Sequence, residues 1–252
     1  MAAFFDCYCA LGHLTAPTFG QEFPTAADLL TAMDHAGIDE ALVYAAPALE
    51  YDPPAGNQFL MEAIGGHPAL HPCWVLLPPA THEFPPPDEL VAQMARAGVR
   101  AARLAPGATA NNFSMAEWSV GPLLAALARA KVPLFINLAD VSWTDIAAML
   151  THHPELPLIL TGVTYRIDRF LYPLWEQHNT LYVELSGYQG LHAVEATVRR
   201  FGPDRLLFGT NQPRFAAGSA VAAAAYAQVD ETARGAIAGG TLRRLLEAAH
   251  DN

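Results

Sequence analysis

Eight short apolar runs, separated by longer amphipathic segments, are the feature that most limits the fold of this chain. The runs are "AFFDCYC", "EALVYAA", "LHPCWVLLP", "AARLAPG", "VPLFINLA", "PLILTGV", "LYVELSG" and "RLLFGTN". The segments between and after them have the length of helices and fall at 25–37, 55–65, 87–97, 117–130, 143–152, 168–178, 190–200 and 217–228. Strands that are apolar throughout and separated by helices favour a parallel sheet buried on both faces.

Eight β–α units in 252 residues match the size of a (β/α)8 TIM barrel. We therefore predict an α/β fold with a single domain over 1–252, in which a final helical segment at 230–250 closes the barrel. A doubly wound open sheet is the alternative for the same pattern. No glycine-rich phosphate motif follows the first run, which counts against a dinucleotide-binding version of that alternative.

Composition narrows the classes of partner. The chain is 52% apolar and 15% charged, which allows a large core, and its net charge of −11 argues against nucleic acid. We expect no membrane span, since no run of 18 apolar residues occurs, and no signal peptide, since "MAAFF" runs directly into Asp6. The odd number of cysteines, three, favours a reducing cytoplasm. A small-molecule ligand or substrate is the expected partner, and a homo-oligomer is left open.

A barrel of this kind places functional side chains at the carboxyl ends of its strands and in the loops that follow. Of the ten histidines, only His13, His82 and His192 fall in such places. The polar residues at strand ends are Asp6, Tyr8, Arg103, Asn137, Ser186, Tyr188 and Asn211. The following loops add 111–113, Asp140, 164–166, Gln189, Gln212 and Arg214. This set is rich in amide, phenol and guanidinium groups, and it predicts a pocket for a small polar or anionic molecule.

Several motifs resemble the amidohydrolase superfamily, in the amidohydrolase 2 (amidohydrolase-related) branch of metal-dependent TIM-barrel hydrolases. "FFDCYCALG" is similar to the family's first-strand motif Asp-x-His-x-His-x-x-Gly, and "FGPDRLLFGTNQP" is similar to its eighth strand, which normally carries a catalytic Asp. "VPLFINLAD", "LPLILTGV" and "IAGGTLRRLL" resemble its fifth strand, sixth strand and terminal helix. The resemblance implies a hydrolase and covers nearly the whole chain.

The same comparison shows where the chain departs from the family. The positions of the family's metal ligands and catalytic Asp hold Tyr8, Ala10, Asn137, Gly162 and Asn211. Ala and Gly offer no side-chain donor, and Asn and Tyr are poor zinc ligands. We therefore predict that the inherited metal centre is lost, with no metal ligand and no cofactor. We therefore do not expect zinc-dependent catalysis.

Strand alternation makes a prediction about the first run. If Tyr8 and Ala10 face the barrel interior, Asp6 does so too, and Cys7 and Cys9 face the helices as buried packing residues. The alternative is a rebuilt metal site of Asp6, Cys9 and His13, which would need a bulge in the strand.

Glu184 lies within a strand run, where a buried carboxylate must be paired or protonated. We expect an ion pair with Arg103, and a catalytic acid or base is the alternative role for Glu184.

These inferences combine into one functional hypothesis. The protein binds a small polar or anionic molecule at the barrel mouth, and any hydrolase or lyase activity is metal-independent. The candidate catalytic residues are Asp6, Tyr8, His13 and Asn211, and the candidate ligand-binding residues are Arg103, Asn137, Tyr165, Arg166, Tyr188 and Arg214. The alternatives are a non-catalytic binding or scaffold protein, and a metal-dependent hydrolase or decarboxylase with a rebuilt site.

Overall fold

A computed structural model of the protein describes residues 3–15, 18 and 21–251. Eight parallel strands form one sheet in the order β1-β2-β3-β4-β5-β6-β7-β8. The strands are β1 (Phe5–Leu11), β2 (Glu40–Ala45), β3 (Leu70–Val75), β4 (Ala101–Leu104), β5 (Leu134–Asn137), β6 (Leu158–Thr161), β7 (Leu181–Glu184) and β8 (Leu206–Leu207). The predicted order of eight strands is confirmed.

The sheet curls so that its two edge strands meet. The Cys7 amide donates to the Phe208 carbonyl at 2.9 Å, and the Ala10 amide donates to the Gln212 carbonyl at 2.9 Å. Both bonds join β1 to the chain that continues from β8. The fold is therefore the predicted (β/α)8 barrel, and the open doubly wound sheet is wrong.

Helices surround the strands. They are α1 (Ala26–Ala36), α2 (Ala46–Glu50), α3 (Pro53–Ile64), α4 (Pro87–Arg96), α5 (Glu117–Arg129), α6 (Trp143–His152), α7 (Asp168–Gln177), α8 (Ala193–Phe201), α9 (Ala217–Ala225), α10 (Glu231–Gly235) and α11 (Thr241–Ala248). Short 3-10 turns lie at Pro79–Thr81, Leu138–Asp140 and Pro203–Arg205. None of the described helices is long and apolar enough to cross a membrane.

Local signals set several helix ends. Thr25 begins α1 with a capping box, in which its side chain accepts from the Asp28 amide and the Asp28 carboxylate accepts from the Thr25 amide. Gly37 ends the same helix in the left-handed conformation, with φ at 71°. Ser142 and Asp145 form a second capping box at α6.

The terminal helix differs from its prediction. The segment predicted as one helix at 230–250 is divided into α10, a π-helical stretch at Ala236–Gly240 and α11. The interruption lies where Gly239 packs against the start of the barrel. A Cβ at Gly239 would lie 2.9 Å from the Phe5 Cβ and 3.2 Å from the Ala3 carbonyl oxygen. Close packing against β1 therefore accounts for the glycine at this position. The short α2 directly after β2 was also not predicted.

Candidate functional site

A cavity of about 690 Å³ opens at the carboxyl ends of the strands. Five of the predicted site residues line it together, namely Tyr8, Arg103, Asn137, Asn211 and Arg214. The remaining lining residues are Thr15, Leu49, Glu50, Tyr51, Ala105, Thr109, Ala110, Ala139, Asp140, Gly162 and Phe215. The wall thus combines charged, amide and aromatic groups, which suits a small organic ligand.

Arg103 is the buried cation of this cavity. Its side chain comes from β4, the residue is 2% exposed, and its guanidinium carbon lies over the rings of both Tyr8 and Tyr44, 4.5 and 4.6 Å from their centroids. Nη2 donates to Thr161 Oγ1 at 3.0 Å. Within the described part of the chain, no carboxylate lies within 4.0 Å of this guanidinium. A buried charge without an ionic partner is costly, so the site favours an anion.

Asn137 organises the wall next to Arg103. Its Nδ2 donates to the Tyr8 hydroxyl at 3.3 Å, and its Oδ1 accepts from the Ala139 amide at 2.9 Å. Gly162 leaves the space that this amide occupies. A Cβ at Gly162 would lie 2.5 Å from Asn137 Oδ1, and Gly162 itself has φ at +66°. Asn137 and Gly162 therefore depend on each other.

Asn211 follows β8 and is 7% exposed, with φ at +56°. Its Oδ1 is buried and has no hydrogen-bond partner among the described residues. An Asn in the left-handed conformation with an unsatisfied oxygen is unusual away from a functional site. This amide is therefore a candidate ligand contact.

Three further charged groups lie near the rim. Arg214 Nη2 is 3.8 Å from Glu50 Oε1, and both side chains are mostly buried. Asp140 is half-buried in the turn after β5. Burial raises the pKa of its carboxyl, while Arg103 and Arg214 lower it. The cavity therefore holds two cationic and two acidic side chains.

Asp6 lies beneath the cavity rather than in its wall. Its carboxylate accepts from the Tyr8 amide at 2.9 Å, from the Thr210 amide at 3.0 Å and from the Thr210 hydroxyl. Burial raises the pKa of Asp6 to about 6, and these hydrogen bonds limit the rise. The group joins β1 to the segment after β8, which is a structural task.

Glu184 is also fully buried, but the predicted ion pair with Arg103 is wrong. The Glu184 carboxylate accepts from the Ser186 amide and, at 2.9 Å, from the Ser186 hydroxyl. It fills space beside Gly209, where a Cβ would lie 2.7 Å from Oε1. Arg103 instead donates to Thr161 and lies over the two tyrosine rings. Burial raises the pKa of Glu184 to about 7, against the lowering effect of Ser186.

The cysteines of β1 do not follow simple alternation. Cys7 and Cys9 are buried, as predicted, but the register with β2 shifts between Asp6 and Cys9. Burial raises the pKa of the Cys7 thiol, and the charges of Glu184 and Asp6 raise it further. Cys7 therefore lies near the interior carboxylates, which strict alternation did not anticipate.

Besides Asp6, four predicted site residues are not brought to the cavity. His13 is exposed, with Nδ1 2.8 Å from Glu22 Oε2. Tyr188 is buried, and its hydroxyl donates to Asp168 Oδ1 at 2.7 Å. Both side chains have partners, Glu22 and Asp168, that do not line the mouth cavity.

Tyr165 and Arg166 lie in a separate surface groove of about 500 Å³ beside α7. Arg166 Nε donates to the Tyr165 hydroxyl at 3.0 Å, so the two residues contact each other rather than the mouth. Neither His82 nor His192 lines the mouth cavity, and both side chains are exposed.

Sequence reasoning missed Tyr44 and Glu50. Tyr44 is the penultimate residue of β2, so the rule that strand ends face the mouth was sufficient to find it. Glu50 gave no such signal, because it ends the unpredicted helix α2.

The residues at the mouth do not fit a divalent metal ion. Besides the carboxylates of Glu50, which lies beside Arg214, and Asp140, the side-chain oxygens available there belong to phenols, amides and threonine hydroxyls, and the guanidinium of Arg103 brings a positive charge next to them. Among the described residues, no three His, Cys, Asp or Glu side chains group closely enough to hold a metal. The proposed Asp6, Cys9 and His13 ligands do not converge, because Asp6 binds Thr210 and His13 binds Glu22. Such a donor set disfavours a divalent metal ion.

The fold and the mouth cavity define a TIM-barrel protein with a site at the carboxyl ends of its strands. A family model described as Amidohydrolase (Amidohydro_2) matches residues 26–247. The chain belongs to this amidohydrolase family, as its motifs predicted. A comparison with curated proteins gives no match.

Solved structures share the fold across the whole chain. An uncharacterised TIM-barrel protein from Bordetella bronchiseptica is 18% identical, with a TM-score of 0.72 and coverage of 97% of this chain and 99% of that one. A 2,6-dihydroxybenzoate decarboxylase from Rhizobium is 15% identical, with a TM-score of 0.71 and coverage of 98% and 99%. A dihydroxybenzoic acid decarboxylase from Polaromonas, solved with manganese and the inhibitor 2-nitroresorcinol, is 14% identical, with a TM-score of 0.69 and coverage of 98% and 97%. At these identities the likeness establishes the fold alone.

Proposed function

We propose that this protein binds a small organic carboxylate at the mouth of the barrel, and that any hydrolase or lyase chemistry there proceeds without a metal. The observation that supports this proposal most strongly is that Arg103 is buried, lines the cavity and has no carboxylate partner among the described residues. A bound carboxylate would supply the missing counter-charge through charge-assisted hydrogen bonds. Two of the structural neighbours named above are decarboxylases of carboxylic acids, which agrees with this class of ligand.

Each residue at the mouth has its own role in binding the ligand. Arg103 and Arg214 attract the anion, and the Tyr8 hydroxyl can donate to it because Asn137 donates to the Tyr8 oxygen. In this proposal Tyr8 is the candidate acid, and Asn211 holds a polar group of the ligand. The inherited metal centre is lost in this proposal, and Arg103 provides the positive charge at the mouth. Three buried free thiols fit a reducing cytoplasm as its location.

Calorimetric titration with benzoate, phenylacetate and 3-phenylpropionate tests the proposal. We expect binding to the native protein and at least about a tenfold loss in Arg103→Met, because one charge-assisted contact is removed. Arg166→Met is the matched control, since the same change is made outside the mouth cavity, and it should bind normally. Thermal unfolding checks that Arg103→Met folds, and replacing a buried charge by an apolar side chain often preserves stability. Equal affinity in the native protein and Arg103→Met would refute the assigned role.

The two alternatives make different predictions. A non-catalytic binding or scaffold protein would bind carboxylates and leave them unchanged in a product assay. A metal-dependent hydrolase or decarboxylase with a rebuilt site would gain melting temperature and turnover with added Mn²⁺ or Zn²⁺. We expect added metal to change neither quantity, because the mouth offers no convergent set of ligands among the described side chains.

A further inference from the structure

We propose that the mouth ligand is an amino acid or a related zwitterion, whose carboxylate binds Arg103 and whose ammonium group binds Asp140. This inference rests on the proposed function and specifies the ligand class. It concerns the second, acidic half of the cavity, which carboxylate binding alone leaves unexplained.

The charges that line the cavity balance. Arg103 and Arg214 carry positive charge, and Asp140 and Glu50 carry negative charge. Glu50 already has partners, since it lies 3.8 Å from Arg214 and accepts from the Thr15 amide at 3.0 Å. Arg103 and Asp140 are left as one cation and one anion that form no ion pair within 4.0 Å in the described part of the chain, although each lies in the field of the other. A ligand that carries one charge of each sign satisfies both.

Asp140 is held in place for such a contact. Its carboxylate packs over Gly107, and a Cβ at Gly107 would overlap Asp140 Oδ1. In the described residues this carboxylate accepts no hydrogen bond, although it is half-buried. The carboxylate lines the cavity and is open to a donor group on the ligand.

A second acceptor points to a donor on the ligand. Asn211 is 7% exposed and lines the same cavity, and its Oδ1 has no partner among the described groups. Asp140 and Asn211 both need N–H or O–H donors, which a simple carboxylate lacks. An ammonium group supplies three donors and a positive charge.

The other residues that line the cavity indicate what the rest of the ligand is like. Leu49, Tyr51 and Phe215 line the cavity with apolar surface. A dicarboxylate would meet repulsion from Asp140 and Glu50, and a simple amine would meet repulsion from Arg103. An amino acid with an apolar side chain avoids both penalties.

Two matched ligand series test this inference by calorimetry. The first is D- and L-phenylalanine, 3-phenylpropionate and 2-phenylethylamine, and the second is 4-aminobutyrate, butyrate and butylamine, which sets the charges further apart. We expect one amino acid to bind the native protein at least about tenfold more tightly than the carboxylate of its series, the gain of one charge-assisted contact. Each amine should bind more weakly than either.

Two variants test separately the charge of the Asp140 carboxylate and its position. Asp140→Asn removes the charge, and Gly107→Ala displaces the carboxylate while keeping it. Both should abolish the preference for the amino acid. Asp140→Asn should leave the affinity for 3-phenylpropionate unchanged or raise it, because a negative charge is removed from the cavity, and Gly107→Ala should change that affinity by less than about threefold, because all charges are kept. Thermal unfolding confirms that each variant is folded.

The outcomes are distinct. If the carboxylates bind the native protein as tightly as the amino acids, the zwitterion inference is wrong and carboxylate binding stands. If Asp140→Asn weakens both ligand types equally, Asp140 serves only to position Arg103, and the inference is again wrong. If no carboxylate binds at all, the proposed function fails together with the inference.

Discussion

Glu184→Gln should stabilise the protein at pH 8 and leave its stability nearly unchanged at pH 4.5. Glu184 is 0% exposed, and among the described residues its carboxylate accepts hydrogen bonds only from the amide and hydroxyl of Ser186. Burial raises its pKa from the ordinary value of 4.5 to about 7. The folded state therefore holds this proton more tightly than the unfolded chain does.

The pH dependence has a definite sign. For a carboxyl group whose pKa is raised on folding, the folded state binds more protons, so the stability falls as pH rises. The contribution of Glu184 is fully present below pH 4.5 and is lost as pH rises through about 7. A rise from 4.5 to about 7 corresponds to on the order of 3 kcal/mol. Glutamine keeps the shape and cannot ionise, so it escapes this loss.

Urea unfolding at pH 4.5 and pH 8 measures the effect. We expect the free energy of unfolding of Glu184→Gln to exceed that of the native protein by about 3 kcal/mol at pH 8, and to match it within about 1 kcal/mol at pH 4.5. Asp6 titrates in both proteins, and because its charge also raises the pKa of Glu184, the difference at pH 8 includes the repulsion between the two carboxylates. Glu176→Gln is the control, because Glu176 lies in an exposed ion pair with Arg200 and should change stability by less than about 1 kcal/mol at either pH. A variant that is less stable than the native protein at pH 8 would show that the ionised carboxylate is favourably paired.

Two further predictions concern the packing of the mouth and of β1. Gly162→Ala should lower stability by about 1–3 kcal/mol, because of its φ of +66° and the clash with Asn137. Adding Asn137→Ala should relieve the clash but not the backbone strain, so additive effects in a double-mutant cycle would contradict the contact. Cys7 and Cys9 should react slowly with a thiol reagent in the native state, because burial raises the pKa of both thiols, and rapid labelling would show that β1 opens or is exposed. Cys9→Ser should lower the free energy of unfolding by about 1–3 kcal/mol.

The order of strands and helices was available from the sequence because it depends on local periodicity. Apolar runs such as "VPLFINLA" and "PLILTGV" identify buried parallel strands wherever they stand, and the barrel rule then assigns their carboxyl ends to the mouth. That reasoning placed Tyr8, Arg103, Asn137, Asn211 and Arg214 at one site before any distance was known.

Which polar groups pair with each other depended on the tertiary structure. Arg103 and Glu184 are both buried strand residues, yet Arg103 lies over the rings of Tyr8 and Tyr44, and Glu184 accepts from Ser186 beside Gly209. Alternation also failed across the register shift between Asp6 and Cys9. Likewise, His13 follows a strand end but binds Glu22 instead of entering the mouth. Periodicity determines on which face and at which end a residue lies, whereas a partner is chosen by distances of a few ångströms between segments remote in sequence, and only the packed barrel determines those distances.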